Sequence, residues 1–274
     1  MGKPLLSIVC ITYNHKDFIK DAIESFLNQE VDFLVEILIH DDASTDGTNL
    51  VIEQYEKKYP NIIKPIYQKI NQYSSFGFEF SFKELERTKG KYISLCEGDD
   101  YWTDNFKLQK QVDFLENNQD FSMCFHKVNV KRENNSNNYH YPIPTKDILN
   151  FKDILFKHYI PTCSLVFVKD KLNLPLPNWL KKSKMCDIPI ELILADNGKT
   201  KFIDSFMGVY RLNSNSITHN YHHIKQGRSS FNYLYKNLRS HFKYKYYFLF
   251  TLIIIKNKIG FLKDFVGLNP LLKS

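Results

Sequence analysis

The sequence predicts an α/β fold built on an open, mostly parallel sheet flanked by helices. Three observations carry that prediction. Strand-like and helix-like patterns alternate through the first hundred residues. The strand runs are continuously apolar, and polar loops recur at their ends. This is the signature of successive βαβ units.

Each element has a local reason. Leu6–Thr12 is an apolar run of the kind buried on both faces of a parallel sheet. Phe18, Ile19, Ala22, Ile23, Phe26 and Leu27 recur at helical spacing, which predicts an amphipathic helix from about Lys16 to Asn28. Val35–Ile39 is the second strand, and the polar loop Asp41–Gly47 hands over to a helix ending near Lys58, closed by Pro60. Ile62–Gln68 forms a third strand, followed by a Gly/Ser/Asn loop and a helix over Phe80–Lys89. Tyr92–Leu95 is the fourth strand. Beyond the Asn-rich segment 134–144, Cys163–Lys169 reads as a strand, Ile188–Ala195 as a helix, and Lys201–Ile203 and Gly208–Leu212 as short strands.

At 274 residues the chain can bury one substantial core. The expected organisation is one domain over residues 1–220, with halves at about 1–120 and 121–220, and a tail over 221–274. The formal net charge of +7 is unevenly spread. The tail carries ten Lys/Arg against Asp264, a charge of +9, while the rest of the chain is near neutral. The five cysteines show no CxxC spacing and read as buried free thiols of a reducing compartment, with no zinc site expected. Met1-Gly2-Lys3-Pro4 leads straight into a strand, so no secretory leader is expected. No apolar run reaches the roughly 18 residues of a membrane-spanning helix.

The most informative stretch follows the fourth strand: Cys96-Glu97-Gly98-Asp99-Asp100-Tyr101-Trp102. Adjacent carboxylates repel, and a hard divalent cation relieves that cost. Oxygen-only ligation suits Mg²⁺ or Mn²⁺ bridging to substrate phosphates. The alternative is a solvated Asp-Asp turn. In a parallel sheet the loops after Thr12, His40 and Leu95 all open at the carboxyl edge, where ligands bind. They bring Tyr13 and Asn14, Asp41 and Asp42, and Asp99 and Asp100 to one place. An aromatic ring beside a carboxylate makes a nucleobase pocket, and the second Asp pair would hold a metal on a diphosphate. The alternative for Asp41 and Asp42 is a turn and helix cap, with Asp46 or Ser44 in the capping role.

Ser7–Asn14, Asp41–Thr48 and Glu97–Trp102, in this order and spacing, resemble the signatures of family 2 glycosyltransferases with the GT-A (Rossmann-like) fold. The resemblance is strong from Leu5 to Gln119 and weaker through Cys186–Pro189 and Val209–Leu212. It implies transfer of a sugar from a nucleoside-diphosphate donor to an acceptor hydroxyl, with inversion. Asp42 then matches the acid that meets the uracil ring and Tyr13 the aromatic beside it, with Asn14 in the same donor loop. Asp100 matches the metal ligand of a DxD-like motif, and Asp99 lies nearer the donor ribose or sugar as well as the metal. Asp187 matches the catalytic base; its alternative is a helix N-cap. Inversion needs such a base across the sugar from the leaving diphosphate. Arg211 would steady the departing phosphate, or else form a structural salt bridge. Relatives often carry a His after the Tyr-Arg pair, where this chain has Asn213; His219 and His222 are the substitutes for a metal-shell histidine.

The tail, aromatic and aliphatic over Tyr244–Ile255 with lysines on either side, suits a basic amphipathic helix in the interface of an anionic membrane. The alternative is packing on the catalytic domain or on the second subunit of a homodimer. No nucleic-acid-binding module is recognisable. The expectation is therefore a cytoplasmic, Mn²⁺- or Mg²⁺-dependent transferase at the inner face of the cell membrane. It would use a nucleotide-sugar donor, a UDP-sugar by preference, and a glycan or lipid-linked acceptor of polysaccharide synthesis. The rival readings are a dTDP-sugar (rhamnosyl-type) transferase and a non-catalytic sugar-nucleotide-binding or membrane-recruitment module.

Overall fold

The computed structural model describes residues 2–132, 141–183, 186–212 and 224–265. Strands β1 (Leu6–Thr12), β2 (Val35–Asp41), β3 (Ile63–Tyr67) and β4 (Tyr92–Leu95) pair in parallel in the order β3-β2-β1-β4. Between them run α1 (Ile19–Leu27), α2 (Thr48–Lys58), α3 (Gln72–Phe76) and α4 (Glu79–Arg87). This half follows the sequence pattern, with one addition. The segment expected to be a plain Gly/Ser/Asn loop contains α3, whose first turn Asn71 caps by accepting from the Ser74 amide.

The second half extends the same sheet in mixed directions. After β5 (Tyr101–Trp102) and α5 (Lys107–Asn117), the 12-residue β6 (Phe121–Arg132) crosses the molecule. Next come β7 (Ile148–Leu149), α6 (Phe151–Phe156), β8 (Val166–Val168), α7 (Asp187–Asp196) and β9 (Lys199–Leu212). The described strands continue in the order β4-β8-β6-β9-β5, with β8 antiparallel to both of its neighbours and β7 antiparallel to β9. The strand expected over 163–169 is shorter because Thr162–Ser164 form a 3₁₀ turn. The two short strands expected at 201–203 and 208–212 are one strand. The polar residues between them lie opposite register shifts against β6, a bulge and not a break.

Alternation along each strand sorts the core into two layers. Val9, Leu38, Ile93 and Phe125 face one, whereas Ile8, Ile39, Tyr92 and Cys124 face the other. α1, α2 and α5 cover the second layer. The first is covered by α4, α6, α7 and the C-terminal helices α8 (Ile224–Phe242) and α9 (Tyr247–Phe265). Leu234, Leu238, Phe242 and Phe250 are buried there, and Tyr246 stacks on Phe151 at 3.6 Å. The tail thus packs on the domain, the second of the two arrangements its sequence allowed. Its outer side is apolar too, with Tyr244, Tyr247, Phe248, Leu252 and Ile255 exposed. Among the described residues no helix is long and apolar enough to cross a membrane. All five cysteines are unpaired, and all but Cys186 are buried.

Candidate functional site

Three loops meet at the carboxyl edge of β1, β2 and β4, and hydrogen bonds lock them together. The Asn14 amide donates to Ser44 Oγ at 2.9 Å, and Asn14 Oδ1 accepts from the Thr45 amide at 2.8 Å. The His15 amide donates to Thr48 Oγ1, and that of Lys16 to Asp46 Oδ2, both at 2.9 Å. Asn14 and Ala43 adopt left-handed backbone with φ 54° and 63°. That conformation is uncommon for Ala and typical of tightly specified functional loops. Ser44 holds the turn closed by donating to Asp41 through its hydroxyl. Asp46, one residue ahead of the N-cap position that Gly47 occupies, accepts through Oδ1 from the Thr48 amide at the start of α2.

The two acids of the second loop have different surroundings. Asp41 ends β2 and serves the turn. Asp42 is 2% exposed, its Oδ1 accepting from the Gln72 amide at 2.6 Å and its Oδ2 from the Tyr73 amide at 3.0 Å. His40 lies beneath it, Nε2 3.9 Å from Asp42 and Nδ1 3.1 Å from buried Glu84. Burial alone would raise the Asp42 pKa, but bonds from His40, Tyr73 and Gln72 outweigh it and hold the carboxyl below its ordinary range. The carboxylate is turned to the first amides of α3, an attraction that periodicity could not show because α3 itself was not anticipated. Tyr13, 45% exposed, lies open at the rim of the same edge.

The third loop carries the Asp pair. The Gly98 amide donates to Ile11 O at 2.9 Å, drawing the loop onto β1 so closely that a Cβ on Gly98 would lie 2.5 Å from Thr12 Oγ1. Asp100 is 1% exposed, and its Oδ1 accepts the Arg211 amide at 2.7 Å. Its Oδ2 is buried without a hydrogen-bond partner among the described residues. Burial, then Asp99 and Glu97, push the Asp100 pKa well above the carboxylate range, against the Arg211 amide and the weakly donating Cys163 thiol. Asp99 has His15 Nε2 at 3.7 Å. Glu97 was not singled out from the sequence; burial first, then Asp99 and Asp187, raise its pKa to about 8.

Acids crowded together with one buried, unpartnered carboxylate oxygen suit a hard divalent cation, with Asp100 and Asp99 as its ligands. The residues therefore fit the Mn²⁺ or Mg²⁺ that the motif implies. His219 and His222 lie outside the described residues. Arg211 is engaged elsewhere. Its guanidinium pairs with Asp21, donates to the Asp99 carbonyl at 2.9 Å and packs over Tyr101 at 4.4 Å. The salt bridge is thus made.

Asp187 opens α7 and is partly exposed; no side-chain bond caps that helix. It has a neighbour that sequence spacing could have suggested. Glu191, one turn on, is buried, and His158 from the segment after α6 stands between the two acids. Below the site, Lys107 is fully buried, its Nζ 3.1 Å from Ser94 Oγ and 3.9 Å from the Trp102 ring centroid.

Comparison with known proteins matches residues 7–171 to the model of glycosyl transferase family 2. An uncharacterized protein of Mycobacterium tuberculosis is 34% identical over 220 residues, which cover 78% of this chain and 60% of that relative. The chain thus spans about three fifths of the length of the mycobacterial proteins it matches. TuaG of Bacillus subtilis, named for teichuronic acid biosynthesis, is 30% identical over 222 residues, 80% of this chain and 83% of TuaG. Among solved structures, Staphylococcus aureus TarS 1–349 in complex with UDP superposes with a TM-score of 0.59 at 17% identity. The match covers 90% of this chain and 74% of TarS 1–349 and shows a shared GT-A fold.

Proposed function

The chain belongs to glycosyl transferase family 2, and we propose that it transfers a sugar from a UDP-sugar to a hydroxyl of a glycan or lipid-linked acceptor, with inversion. The observation that carries this reading is the Oδ2 of Asp100, buried without a partner among the described residues and set beside Asp99 on the loop that packs against Ile11, Thr12 and His15. Asp100 and Asp99 would hold a Mn²⁺ or Mg²⁺ ion, which when bound offsets charge on the departing diphosphate. Tyr13 offers an exposed ring for the base. Asp42 fixes the start of α3 beside it, and Arg211 fixes Asp99 and Asp100 through its amide and guanidinium. Asp187 takes the proton of the acceptor hydroxyl as its oxygen attacks the anomeric carbon and the bond to the diphosphate breaks.

The UDP-bound TarS supports a UDP donor, and TuaG, named for teichuronic acid biosynthesis, supports a role in polysaccharide synthesis. The exposed Phe248, Leu252 and Ile255 of α9, on a segment rich in lysine, support contact with an anionic membrane surface where a lipid-linked acceptor would reside. The test is a donor screen. UDP-glucose, UDP-N-acetylglucosamine and dTDP-rhamnose are compared by thermal shift and by nucleotide release, with and without Mn²⁺. A Mn²⁺-dependent shift with a UDP-sugar is expected, and no response to any of the three with Mn²⁺ present overturns the proposal.

A further inference from the structure

Behind Asp187 lies a charged cluster that the transfer reaction does not account for. Glu191 is 2% exposed, and its Oε1 has no hydrogen-bond partner among the described residues. His158 presents Nδ1 to Glu191 Oε2 at 3.4 Å and Nε2 to Asp187 Oδ2 at 3.8 Å. The Tyr141 ring packs against the imidazole at 5.9 Å between centroids. Three such side chains together suggest a metal site. One ring nitrogen and one oxygen from each acid lie within 4.8 Å of one another, but the ion pairs themselves use both ring nitrogens. Here the acids address opposite nitrogens, as they do when an imidazolium bridges two carboxylates. Burial would lower the His158 pKa, but Glu191 and then Asp187 overcome it and take it up to about 9, so the ring is a cation at neutral pH.

We propose that His158, anchored by buried Glu191, is a positioning residue that fixes the carboxylate of Asp187 for proton abstraction. The proposal rests on Asp187 being the base. Asp187 stands in the first turn of α7, and among the described residues its ion pair is with His158. With Oδ2 drawn to His158, Oδ1 is left for the acceptor hydroxyl. In the transfer that hydroxyl oxygen bonds to the anomeric carbon, the carbon–phosphate oxygen bond breaks, and the proton passes to Asp187 and then to solvent. His158 keeps its own proton throughout. The charged and titratable groups facing this pair are Glu191 on α7, Glu97 on the β4–β5 loop, whose raised pKa registers Asp187, and Tyr141 on the segment before β7.

Two readouts test the idea. The first needs no substrate: histidine ring signals are followed by NMR against pH in the wild type, Glu191→Gln and Asp187→Asn, with His158→Gln assigning the signal among nine histidines. The His158 midpoint is expected near 9 in the wild type. It should fall by about one pH unit or more in Glu191→Gln, the usual scale for losing an adjacent opposite charge, and by less in Asp187→Asn. An ordinary histidine midpoint in the wild type overturns the proposal. So does a midpoint that neither variant moves, and Asp187→Asn keeps this arm decisive should Glu191→Gln not fold.

The second readout is the pH profile of UDP release from UDP-N-acetylglucosamine with Mn²⁺. Glu191→Gln should lower kcat with KM little changed, and its alkaline limb should move down in pH together with the NMR midpoint. If Asp187→Asn is inactive but the Glu191→Gln profile matches the wild type, the positioning role alone falls. If Asp187→Asn retains full turnover, the base assignment falls and takes the positioning role with it.

Discussion

Asp100→Asn separates a metal site from a buried turn. In the wild type the Asp100 side chain is 1% exposed, and Oδ2 has no hydrogen-bond partner among the described residues, while Asp99 and Glu97 crowd it with like charge. An unpartnered buried polar atom costs about 1–3 kcal/mol, more when charged. Asparagine keeps the shape and an oxygen for the Arg211 amide but removes the charge, so the metal-free variant should melt no lower than the wild type. Addition of the ion should reverse the order. An ion at a hundredfold its dissociation constant stabilises the folded state by about 2.7 kcal/mol. For a domain of this size that corresponds to a rise of roughly 5–10 °C in Tm. The assay is a melt followed by tryptophan fluorescence, with UDP alone and with UDP plus MnCl₂. The wild type should gain the Mn²⁺-dependent increment and Asp100→Asn should lose it, with Asp99→Asn losing part. An undiminished Mn²⁺ increment in Asp100→Asn refutes the assignment.

Other perturbations probe separate parts of the molecule. Asp187→Asn should lower UDP release by about 10²–10⁴-fold, the range for losing a general base, while leaving the UDP–Mn²⁺ melting shift intact. Gly98→Ala places a methyl 2.7 Å from Thr12 Cβ and 3.0 Å from Ile19 Cδ1, so denaturant melts should show a loss of about 1–3 kcal/mol together with weakened UDP binding. Burial brings the Lys107 pKa down from 10.5 to about 7. Between those values the unfolded chain binds a proton that the folded chain does not, so this group makes stability rise with pH from about 7 to 10.5. Lys107→Met should flatten that rise in urea melts at pH 7, 8.5 and 10 and should stabilise the protein most at the lowest pH. Phe248 is 71% exposed and Leu252 45%, so Phe248→Asp/Leu252→Asp should leave Tm within about 1 °C. The double variant should abolish sedimentation with phosphatidylglycerol vesicles, and unchanged sedimentation removes the membrane role of α9.

Much of the fold is legible in the sequence because it depends on near neighbours. The apolar run Leu6–Thr12, the 3.6-residue spacing from Ile19 to Leu27 and the Asp-Asp step after Tyr92–Leu95 declare strand, helix and strand-end loop by themselves. Parallel pairing then brings the loops after β1, β2 and β4 to one edge by topology alone. The charge contrast between body and tail is likewise a property of composition. What the sequence could not decide are contacts between residues far apart along the chain. That Gln72 and Tyr73, thirty residues on, turn their amides to Asp42 could not be read from either segment. Nor could the pairing of Arg211 with Asp21. Glu191 and His158 look like an ordinary helix acid and a loop histidine, and only the packing of α6 against α7 sets them around Asp187. The tail pattern fits a membrane face or a core face equally well, since both reward apolar side chains. Tertiary structure divides the two, burying Phe250 against Phe151 and leaving Phe248 outside. Periodicity reports which side chains avoid water; the partner that shields each one is set by the folded chain.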